Sequence, residues 1–535
     1  MANTFKKVID RQVWAQVAPS IDAHAAARSL ASDLRNDRSR NPFVYHLSSN
    51  SLFARFNIVT KAWQNISGTP LTAGTFGAGS TSAFVPSFGA VGTIAAGATT
   101  TSVTLSTALP TAVGLNMLAN RGGSGDFGFK IRIIDTVAGK TEERWIVGNT
   151  VGTTPTITLD VALTFTPATG ARYELLCGRL FMLGASTVAA GIFRTFEPAS
   201  NTLANRGTTN LPTIGTDSAM LVMDELYVPF NHEPGEGMVK GATTYDTDRV
   251  ALLATASAST TITGQASGGD AVVLANEYRN FQIRIVADPT TPASVGQRRI
   301  IASHTAGPSA VYTLGAAWTT TPSSAARFVI EQPNLLVLRT SANTTTYTYN
   351  YGDAAVNNGT NSIAADAWST TYFGAAPAAN GAGCLWAPSW GIQPDPARYA
   401  RHSFNYFFRG GASTTLDVLD IAGAITGTWT GAITYDGSNN AFGAGTTGCY
   451  SPFGQEGRYT YINVYTTGAI NQIFRFDSET RVLTPYTPTD FIQTGSALLG
   501  CRMAAYAAID ETDTYDVVLL QAHTSTVCQE LIPLV

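Results

Sequence analysis

The stretch FNYFFRGGASTTLDVLDIAGAITGTWT, residues 404–430, decides the fold expected for this chain. Short apolar runs lie within it, and turns containing Gly410-Gly411 and Asp420 separate them. Apolar runs of this length between Gly and Asp turns predict a small antiparallel sheet. Such a sheet is marginal alone in water, so other parts of the chain must cover its faces.

The composition of the 535-residue chain is that of an all-β protein. Charged residues make up 13% of it, about half the fraction of typical soluble domains, and Gly, Ala, Ser and Thr take their place. Thr, Val, Tyr and Phe alternate with Gly- and Pro-rich turns. The net charge of −4 is weak and argues against a dedicated nucleic-acid-binding surface, which would be basic.

Targeting signals and cysteine patterns exclude several other classes of protein. No apolar run is long enough for a membrane span, and the N-terminus has no apolar signal-peptide segment, so we expect synthesis in a cytoplasm. The cysteines are widely spaced and form no CxxC motif, and we interpret them as small buried apolar residues. They are Cys177, Cys384, Cys449, Cys501 and Cys528.

Residues 1–43 differ from the rest of the chain. The segment IDAHAAARSLASDLR at 21–35 is Ala-rich and carries Ala26, Leu30 and Leu34 at helical spacing. We therefore expect a short helical N-terminal arm over 1–43. The arm either packs on its own domain or reaches a neighbouring subunit.

Several later segments repeat the plan of strand, turn and strand. SAFVPSFG at 82–89 and CLWAPSWG at 384–391 share a pattern of apolar and aromatic residues around Pro-Ser. Repetition of this kind indicates an architecture built from similar units. IFRFDSETRVL at 473–483 has Asp477 at its turn, where a short acceptor caps the following amides.

These units resemble those of the kelch-like β-propellers. Gly410-Gly411, Asp420 and Trp429 match the kelch order of strand, Gly pair, acidic strand end and later Trp. Trp63 matches the Trp position alone. The resemblance implies an all-β, kelch-like β-propeller of about six blades over 44–535, within the usual range of four to eight.

The clearest internal repeat in the sequence is a different one. FKIRIID at 129–135 and ERWIV at 143–147 recur, in the same order, as FQIRIVA at 281–287 and RRIIA at 298–302. Two copies of one module are therefore expected within the propeller.

We place these two homologous insertions at 91–177 and 250–333. Apolar residues alternate strictly in FKIRI and FQIRI, so each module is expected to be a small β-barrel or sandwich with one solvated face. Each module follows one strand and precedes another. We therefore expect both in the same loop of two consecutive blades, side by side on one face.

No motif in the sequence commits the chain to catalysis. The histidines are spaced too widely for a metal site, and the contexts of HExxH, GxSxG, Walker A and GxGxxG are absent. We interpret Asp395, between two prolines, as a turn former. Glu142 and Glu143 have no counterpart in the second module, which reads RR there, and this variation fits a solvated face. We expect no enzyme activity, no cofactor and no metal.

Arg132 and Arg284 are the candidate interface residues, because they occupy the same place in both modules within an apolar strand. They lie either on an exposed face or in an interface, where arginine is frequent. An aromatic cluster forms either blade core or a glycan-stacking surface. Its members are Trp386, Trp390, Tyr399, Phe404, Tyr406 and Phe407.

The low charge, the Gly/Ala/Thr-rich β-structure and the duplicated modules together resemble virion proteins of tailed bacteriophages. Propeller-based subunits of that class form rings at the tail, such as the nozzle below portal and adaptor. The resemblance implies a virion protein in a homo-oligomeric ring, six- or twelve-fold, that contacts the adaptor or tail fibres. Genomic DNA would pass without specific binding. Low charge suits wide subunit contacts, since few charges need desolvation.

Two other classes of function remain open. One is a glycan-binding head fibre, decoration protein or receptor-binding appendage, whose aromatic side chains would be exposed. The other is a kelch-type carbohydrate-active enzyme, which needs metal ligands or acidic residues clustered at the mouth of the propeller. The scattered histidines argue against the enzyme.

Overall fold

A computed structural model describes a large part of the chain. The described residues are 13–17, 30–33, 43–47, 53–66, 79–87, 89–109, 115–116, 118–119, 129–184, 192–199, 202–207, 210–211, 217–224, 252–264, 275–307, 309–340, 342–388, 403–435, 442–443, 446–451, 459–465, 471–478, 480–486, 502–509, 514–521 and 528–532. They form β-strands and one short 3-10 helix, Pro292–Ser294.

Six four-stranded antiparallel sheets form the blades of a β-propeller. Blade 1 contains β2 (Leu30–Ser32), β3 (Phe43–Leu47), β4 (Phe53–Asn57) and β5 (Ala62–Asn65). Blade 2 contains β6 (Thr81–Val85), β13 (Arg179–Gly184), β14 (Ile192–Glu197) and β15 (Thr202–Asn205). Blade 3 contains β16 (Ser218–Met223), β23 (Leu335–Thr340), β24 (Tyr347–Asn350) and β27 (Ala367–Ser369).

The remaining blades come from the C-terminal part of the chain and one N-terminal strand. Blade 4 contains β28 (Leu385–Pro388), β29 (Phe404–Phe408), β30 (Thr415–Asp420) and β31 (Thr428–Thr434). Blade 5 contains β32 (Thr447–Ser451), β33 (Tyr459–Tyr465), β34 (Asn471–Asp477) and β35 (Val482–Pro485). Blade 6 contains β36 (Arg502–Ile509), β37 (Thr514–Gln521), β38 (Cys528–Ile532) and β1 (Val13–Val17). The prediction of about six blades is confirmed.

The first strand of each blade is the innermost, and these strands close on one another in a ring. β2 contacts both β6 and β36, and the series continues through β16, β28 and β32 back to β36. Aromatic side chains fill the spaces between neighbouring blades. Ring pairs across blade boundaries are Tyr45–Phe84, Phe193–Tyr349 and Tyr406–Phe476.

Strand β1 closes the propeller by pairing with the C-terminal strand β38. Val13 lies opposite Ile532 and Val17 opposite Cys528, so the two ends of the chain share one blade. Because the N-terminal strand completes the last sheet, the ring cannot open without breaking that ladder.

The prediction of a helical arm over 1–43 is wrong where the structure describes it. Leu30–Ser32, inside the predicted helix, is the innermost strand of blade 1, and β1 belongs to blade 6. Leu30 and Ala31 are buried against other blades, and this burial outweighs the helical propensity of an Ala-rich segment. Residues 21–29 and 34–35 of the predicted helix lie outside the described residues.

The strands predicted within 404–430 are confirmed as β29, β30 and β31 of blade 4. Gly410 and Gly411 have φ values of +67° and +63°, a conformation that favours glycine. The Asp turns also behave as expected. Asp420 Oδ1 accepts a hydrogen bond from the amide of Ala422 at 3.0 Å, and Asp477 Oδ1 accepts one from Thr480 at 3.2 Å.

Two six-strand units lie between the first and second strands of blades 2 and 3. The first unit contains β7 (Val91–Thr93), β8 (Ser102–Thr104), β9 (Lys130–Asp135), β10 (Lys140–Asn149), β11 (Thr156–Leu159) and β12 (Arg172–Leu176). The second unit contains β17 (Leu252–Ala258), β18 (Thr261–Gly264), β19 (Gln282–Ala287), β20 (Arg298–His304), β21 (Val311–Leu314) and β22 (Arg327–Glu331). A hairpin of blade 3, β25 (Val356–Asn357) and β26 (Ser362–Ile363), lies between β24 and β27.

The two units contact each other directly. β10 meets β19 where Lys140 lies opposite Ala287, and the amide of Asp288 donates to the carbonyl oxygen of Gly139 at 2.9 Å. All six residues of both β9 and β19 are buried. The expected solvated face of these strands is therefore wrong, because alternation shows which residues share a face but not what covers it.

We expect Gly410→Ala to destabilise the fold more than Gly170→Ala. A Cβ atom at Gly410 would lie 2.5 Å from the carbonyl oxygen of Ala382, whereas Gly170, also at positive φ, has nothing within 4 Å. Gly170→Ala is the control and should cost only the backbone strain of about 1 kcal/mol. Gly410→Ala should cost about 1–3 kcal/mol more, because the new methyl group overlaps the carbonyl oxygen of Ala382. Chemical denaturation of both variants measures the difference. Equal losses of stability would contradict the close approach of the two turns.

Candidate functional site

The candidate site is the contact between the two units, where both predicted arginines lie. Arg132 is in the middle of β9 and Arg284 in the middle of β19, and both side chains are almost completely buried. The reading of an exposed face is therefore wrong. Each arginine has acidic partners within the chain. A contact with another subunit through these two residues stays a prediction.

Arg132 is held by two carboxylates on the strands beside it. Glu143 on β10 and Glu174 on β12 are its direct cross-strand neighbours, so the three side chains project from one face. Arg132 Nε donates to Glu143 Oε1 at 2.9 Å, and Nη1 donates to Glu174 Oε2 at 2.9 Å. The guanidinium uses its fork geometry to join both carboxylates.

Arg284 has a different set of neighbours. Its cross-strand neighbour on β20 is Arg298, so two like charges face each other. Arg284 pairs instead with Glu331 of β22, whose two carboxylate oxygens accept from Nε and Nη2 at 3.0 to 3.2 Å. Both side chains of this pair are fully buried.

Arg298 joins the two units. It donates to Glu174 of the first unit at 3.2 and 3.3 Å and lies 3.7 Å from Glu331 of its own unit. Arg172 connects the group to the propeller, since it lies 3.2 Å from Glu174 and 2.5 Å from Asp353 of blade 3. We call these residues the arginine network. Its members are Arg132, Arg172, Arg284, Arg298, Glu143, Glu174, Glu331 and Asp353.

Glu174 is the centre of the arginine network. Burial alone would raise the pKa of its carboxyl group, but Arg298, Arg132 and Arg172 more than offset the burial and hold that pKa well below its ordinary value. The carboxylate is therefore charged wherever the protein is folded near neutral pH. Four arginines face four acidic residues, so the network is formally neutral.

Two cavities adjoin the network. One of about 360 Å³ lies between the second unit and blade 3, and both polar residues (Arg298, Asn334, Asp353) and apolar residues (Ile300, Val356) line it. A second, of about 10 Å³, lies between Arg172, Glu174 and Arg298. The arginines beside the cavities are already bound to acidic or carbonyl groups of the chain. These contacts make the network a connection between parts of the chain.

Of the other residues considered in the sequence, Glu143 belongs to the network and Glu142 precedes it on β10. Glu142 and Glu143 are buried and ion-paired, Glu142 with Arg144 at 2.5 Å, so the interpretation as a solvated face is wrong. The alternating pattern could not show that Arg144 and the loop at Thr164 cover Glu142. Asp395 lies outside the described residues.

The prediction of buried cysteines is confirmed for Cys177, Cys384 and Cys528, and the described aromatic residues favour blade core. Cys177, Cys384 and Cys528 are buried and Cys449 is half-buried, while Cys501 lies outside the described residues. Burial raises the pKa of the Cys384 thiol to about 12. In the aromatic cluster, Trp386, Tyr406 and Phe407 are buried blade core and Phe404 is half-buried. Trp390 and Tyr399 lie outside the described residues.

Sequence reasoning missed Arg339, at the end of β23. Its guanidinium is buried between blades 3 and 4, where it donates to the carbonyl oxygens of Thr345, Asn343 and Ala378 at 2.9 to 3.0 Å. It also lies over the ring of Trp429 at 5.7 Å. A second arginine, Arg409, follows the second strand of the next blade and pairs with buried Asp417. This recurrence of arginine at the end of the second strand is the sequence signal that points to Arg339.

Among the residues that the structure describes, no group of three or more His, Cys, Asp or Glu side chains could hold a metal ion. In the same part of the chain, no helix has the length and apolar character needed to cross a membrane.

Comparison with known proteins yields only distant structural similarity. No family model matches the chain, and no curated protein matches it. It is similar to Sqt1 of Saccharomyces cerevisiae, with 9% identity over 96% of this chain and 97% of that one, at a TM-score of 0.30. The chain is also similar to the C-terminal WD40 domain of Sif2, with 8% identity over 98% of this chain and 99% of that one, at a TM-score of 0.25. The computationally designed protein Ika8 has 9% identity over 97% of this chain and 100% of its own, at a TM-score of 0.27. Similarities at these scores carry no argument about function.

We expect Glu174→Gln to lower the free energy of unfolding by about 3–5 kcal/mol, because it leaves buried arginines without their shared carboxylate. The matched control is Asp353→Asn at the exposed rim of the same network, where the side chain is 39% exposed. Solvent screening should limit its effect to about 0.5 kcal/mol. Urea denaturation of both variants measures the difference. Similar losses in the two variants would contradict the central place of Glu174.

Proposed function

We propose that this chain is a structural subunit of a bacteriophage virion. In this proposal it is a ring-forming tail or neck protein of the nozzle type, placed around the DNA exit channel. Adaptor or portal proteins and tail fibres are its partners in the virion. The proposal assigns no catalytic residue, no cofactor and no metal to the chain.

The observation that carries the proposal is the arginine network. It joins the first unit, the second unit and blade 3 through ion pairs that involve Arg298, Glu174 and Arg172. Such connections fix the relative positions of the parts, whereas a binding cleft that closes on its ligand needs parts that move. A fixed shape supports a subunit whose work is to present surfaces to other subunits.

The narrow centre of the propeller also supports a ring of several copies. The cavity between the innermost strands has a volume of about 230 Å³ and is lined largely by small side chains, among them Ala31, Ala83, Ala219 and Ala505. A DNA duplex, whose major groove alone is about 12 Å wide, does not fit a space of this size. In this proposal the channel for DNA therefore lies between subunits.

We further propose that the two units are homologous insertions in a kelch-like propeller. They share one pairing order, in which β9 and β19 each lie between two strands of their own unit. Local hydrogen bonds repeat as well. The amide of Leu118 donates to Asn149 Oδ1 at 2.9 Å, and the amide of Tyr278 donates to His304 Nε2 at 2.9 Å.

A second pair of hydrogen bonds supports the same equivalence. The amide of Thr156 donates to Thr150 Oγ1 at 2.7 Å, and that of Val311 donates to Thr305 Oγ1 at 3.0 Å. Asn149 thus corresponds to His304, and Thr150 to Thr305. The two units share these contacts although most of their side chains differ.

This equivalence predicts a pH effect at His304. Burial lowers the pKa of His304 below its ordinary value of 6.5, and Nε2 must stay unprotonated to accept the Tyr278 amide. The unfolded chain therefore binds the proton more readily, so stability is lost as the pH falls below about 6.5. His304→Asn, which installs the residue of the first unit, should flatten the loss of stability between about pH 7 and pH 5. Thermal unfolding across this range tests it, and an unchanged slope would contradict the assignment.

The proposed function predicts a ring in solution. Light scattering of the purified protein should give the mass of six or twelve copies, because the proposal requires closed cyclic assembly. Electron-microscope averages of the same sample should show a central opening. A monomer at every protein concentration would contradict a self-assembling ring.

A further inference from the structure

The first unit exposes a group of large apolar side chains. Leu115 is 67% exposed, Val147 49%, Val151 53% and Val161 51%. We call these four residues the apolar patch. In the described part of the chain, the other exposed large apolar residues are Val91 and Val137 of the first unit and Val59 of blade 1.

Hydrogen bonds place the patch residues along one hairpin, formed by β10 and β11. Val147 lies in β10, and Val151 follows that strand in the turn. The residue after Leu115, Asn116, donates its amide hydrogen to the carbonyl oxygen of Asn149 at 2.9 Å. Val161 follows Asp160, whose amide donates to the carbonyl oxygen of Trp145 at 3.1 Å. The four residues therefore lie on one hairpin or directly beside it.

The second unit has an alanine at each equivalent position. The amide of Asn276 donates to the carbonyl oxygen of His304, as the amide of Asn116 donates to that of Asn149 in the first unit. The amide of Gly315 donates to the carbonyl oxygen of Ile300, as that of Asp160 donates to Trp145. These bonds fix the equivalence. Leu115 corresponds to Ala275, Val147 to Ala302, Val151 to Ala306 and Val161 to Ala316.

Part of this face in the second unit is covered by the same chain. A Cβ atom at Gly315 would lie 2.2 Å from the carbonyl oxygen of Asn357 in the β25–β26 hairpin. Asn280 Nδ2 donates to the carbonyl oxygens of Ile421 and Ala424, in the turn after β30, at 2.6 and 3.0 Å. Small side chains on the second unit allow this close approach.

Blade 2 has no such cover in its described residues. The turn between β14 and β15 takes the place of the long β24–β27 connection of blade 3, which holds the hairpin. The first unit therefore leaves its equivalent face exposed, yet carries larger apolar side chains there. A face that met only water would gain nothing from this enlargement, whereas a docking face gains buried apolar area.

We propose that the apolar patch docks on a second copy of this chain. The proposal rests on the proposed ring function and names its contact surface. The patch repeats, on the first unit, a face whose part around Ala302 and Ala316 is covered on the second unit by the β25–β26 hairpin of this same chain. Exposed Val59 on blade 1 gives each copy a second apolar position, and head-to-tail rings need two different surfaces per copy.

The charge around the patch agrees with a protein partner of low charge. Residues 146–159, IVGNTVGTTPTITL, contain no charged side chain, and the residue that follows them, next to Val161, is the acidic Asp160. An anionic lipid or nucleic acid would require basic residues here. The chain itself, with 13% charged residues, offers a partner surface that costs little to desolvate.

The test compares two double variants of the full chain. Leu115→Asp/Val151→Asp places charges in the patch, and Ala275→Asp/Ala306→Asp places them at the equivalent exposed positions of the second unit. All four side chains point into solvent at least in part, so both variants should keep the thermal unfolding midpoint of the wild type. Sedimentation velocity from about 1 µM to about 100 µM covers the affinities of ordinary subunit contacts.

We expect the patch variant to weaken self-association at least about tenfold and the matched control to leave it unchanged. If both variants assemble as the wild type does, the inference is wrong while the ring function stands. If the patch drives association into closed dimers without a ring, the inference stands and the ring function is wrong. A wild type that stays monomeric throughout overturns both.

Discussion

Six innermost strands, one from each blade, close on one another around a narrow cavity, and the pairing of β1 with β38 holds that closure. The rest of the structure depends on this ring because it fixes the angle between consecutive blades. Blades 2 and 3 are neighbours, and each releases a six-strand unit after its first strand. The two units therefore emerge close enough to form one continuous set of paired strands.

Four arginines and four acidic residues meet around the contact between those units, in a chain of which only 13% is charged. Burying arginines and carboxylates is costly, and the cost is offset only when each group finds a partner with good geometry. The module repeat places arginines at two equivalent positions, Arg132 and Arg284. Their acidic partners differ between the two units. Glu174 satisfies arginines of both units, so neither unit alone completes the arrangement. This mutual dependence gives the pair a defined orientation on the propeller.

Local chemistry made the blades predictable from the sequence. Gly pairs, Asp turns and aromatic strands within 404–430 act over a few residues, and the structure has strands and turns where these signals place them. The N-terminal strands were not predictable in this way, because the partner of Val13 is Ile532, at the far end of the chain. The face of Arg132 was misjudged for a related reason, since only the folded chain shows that Glu143 and Glu174 bind it and that Arg298 of the second unit shares Glu174.

If the chain is a rigid subunit that presents a fixed surface for assembly, the two units must act as one body. A double-mutant cycle on Glu174→Gln and Arg298→Gln tests this most directly, by measuring the free energy of unfolding of the wild type, both single variants and the double variant. We expect a coupling energy of about 1.5 kcal/mol or more between these residues of different units. A coupling energy near zero would show that the units are energetically independent and would contradict the rigid connection.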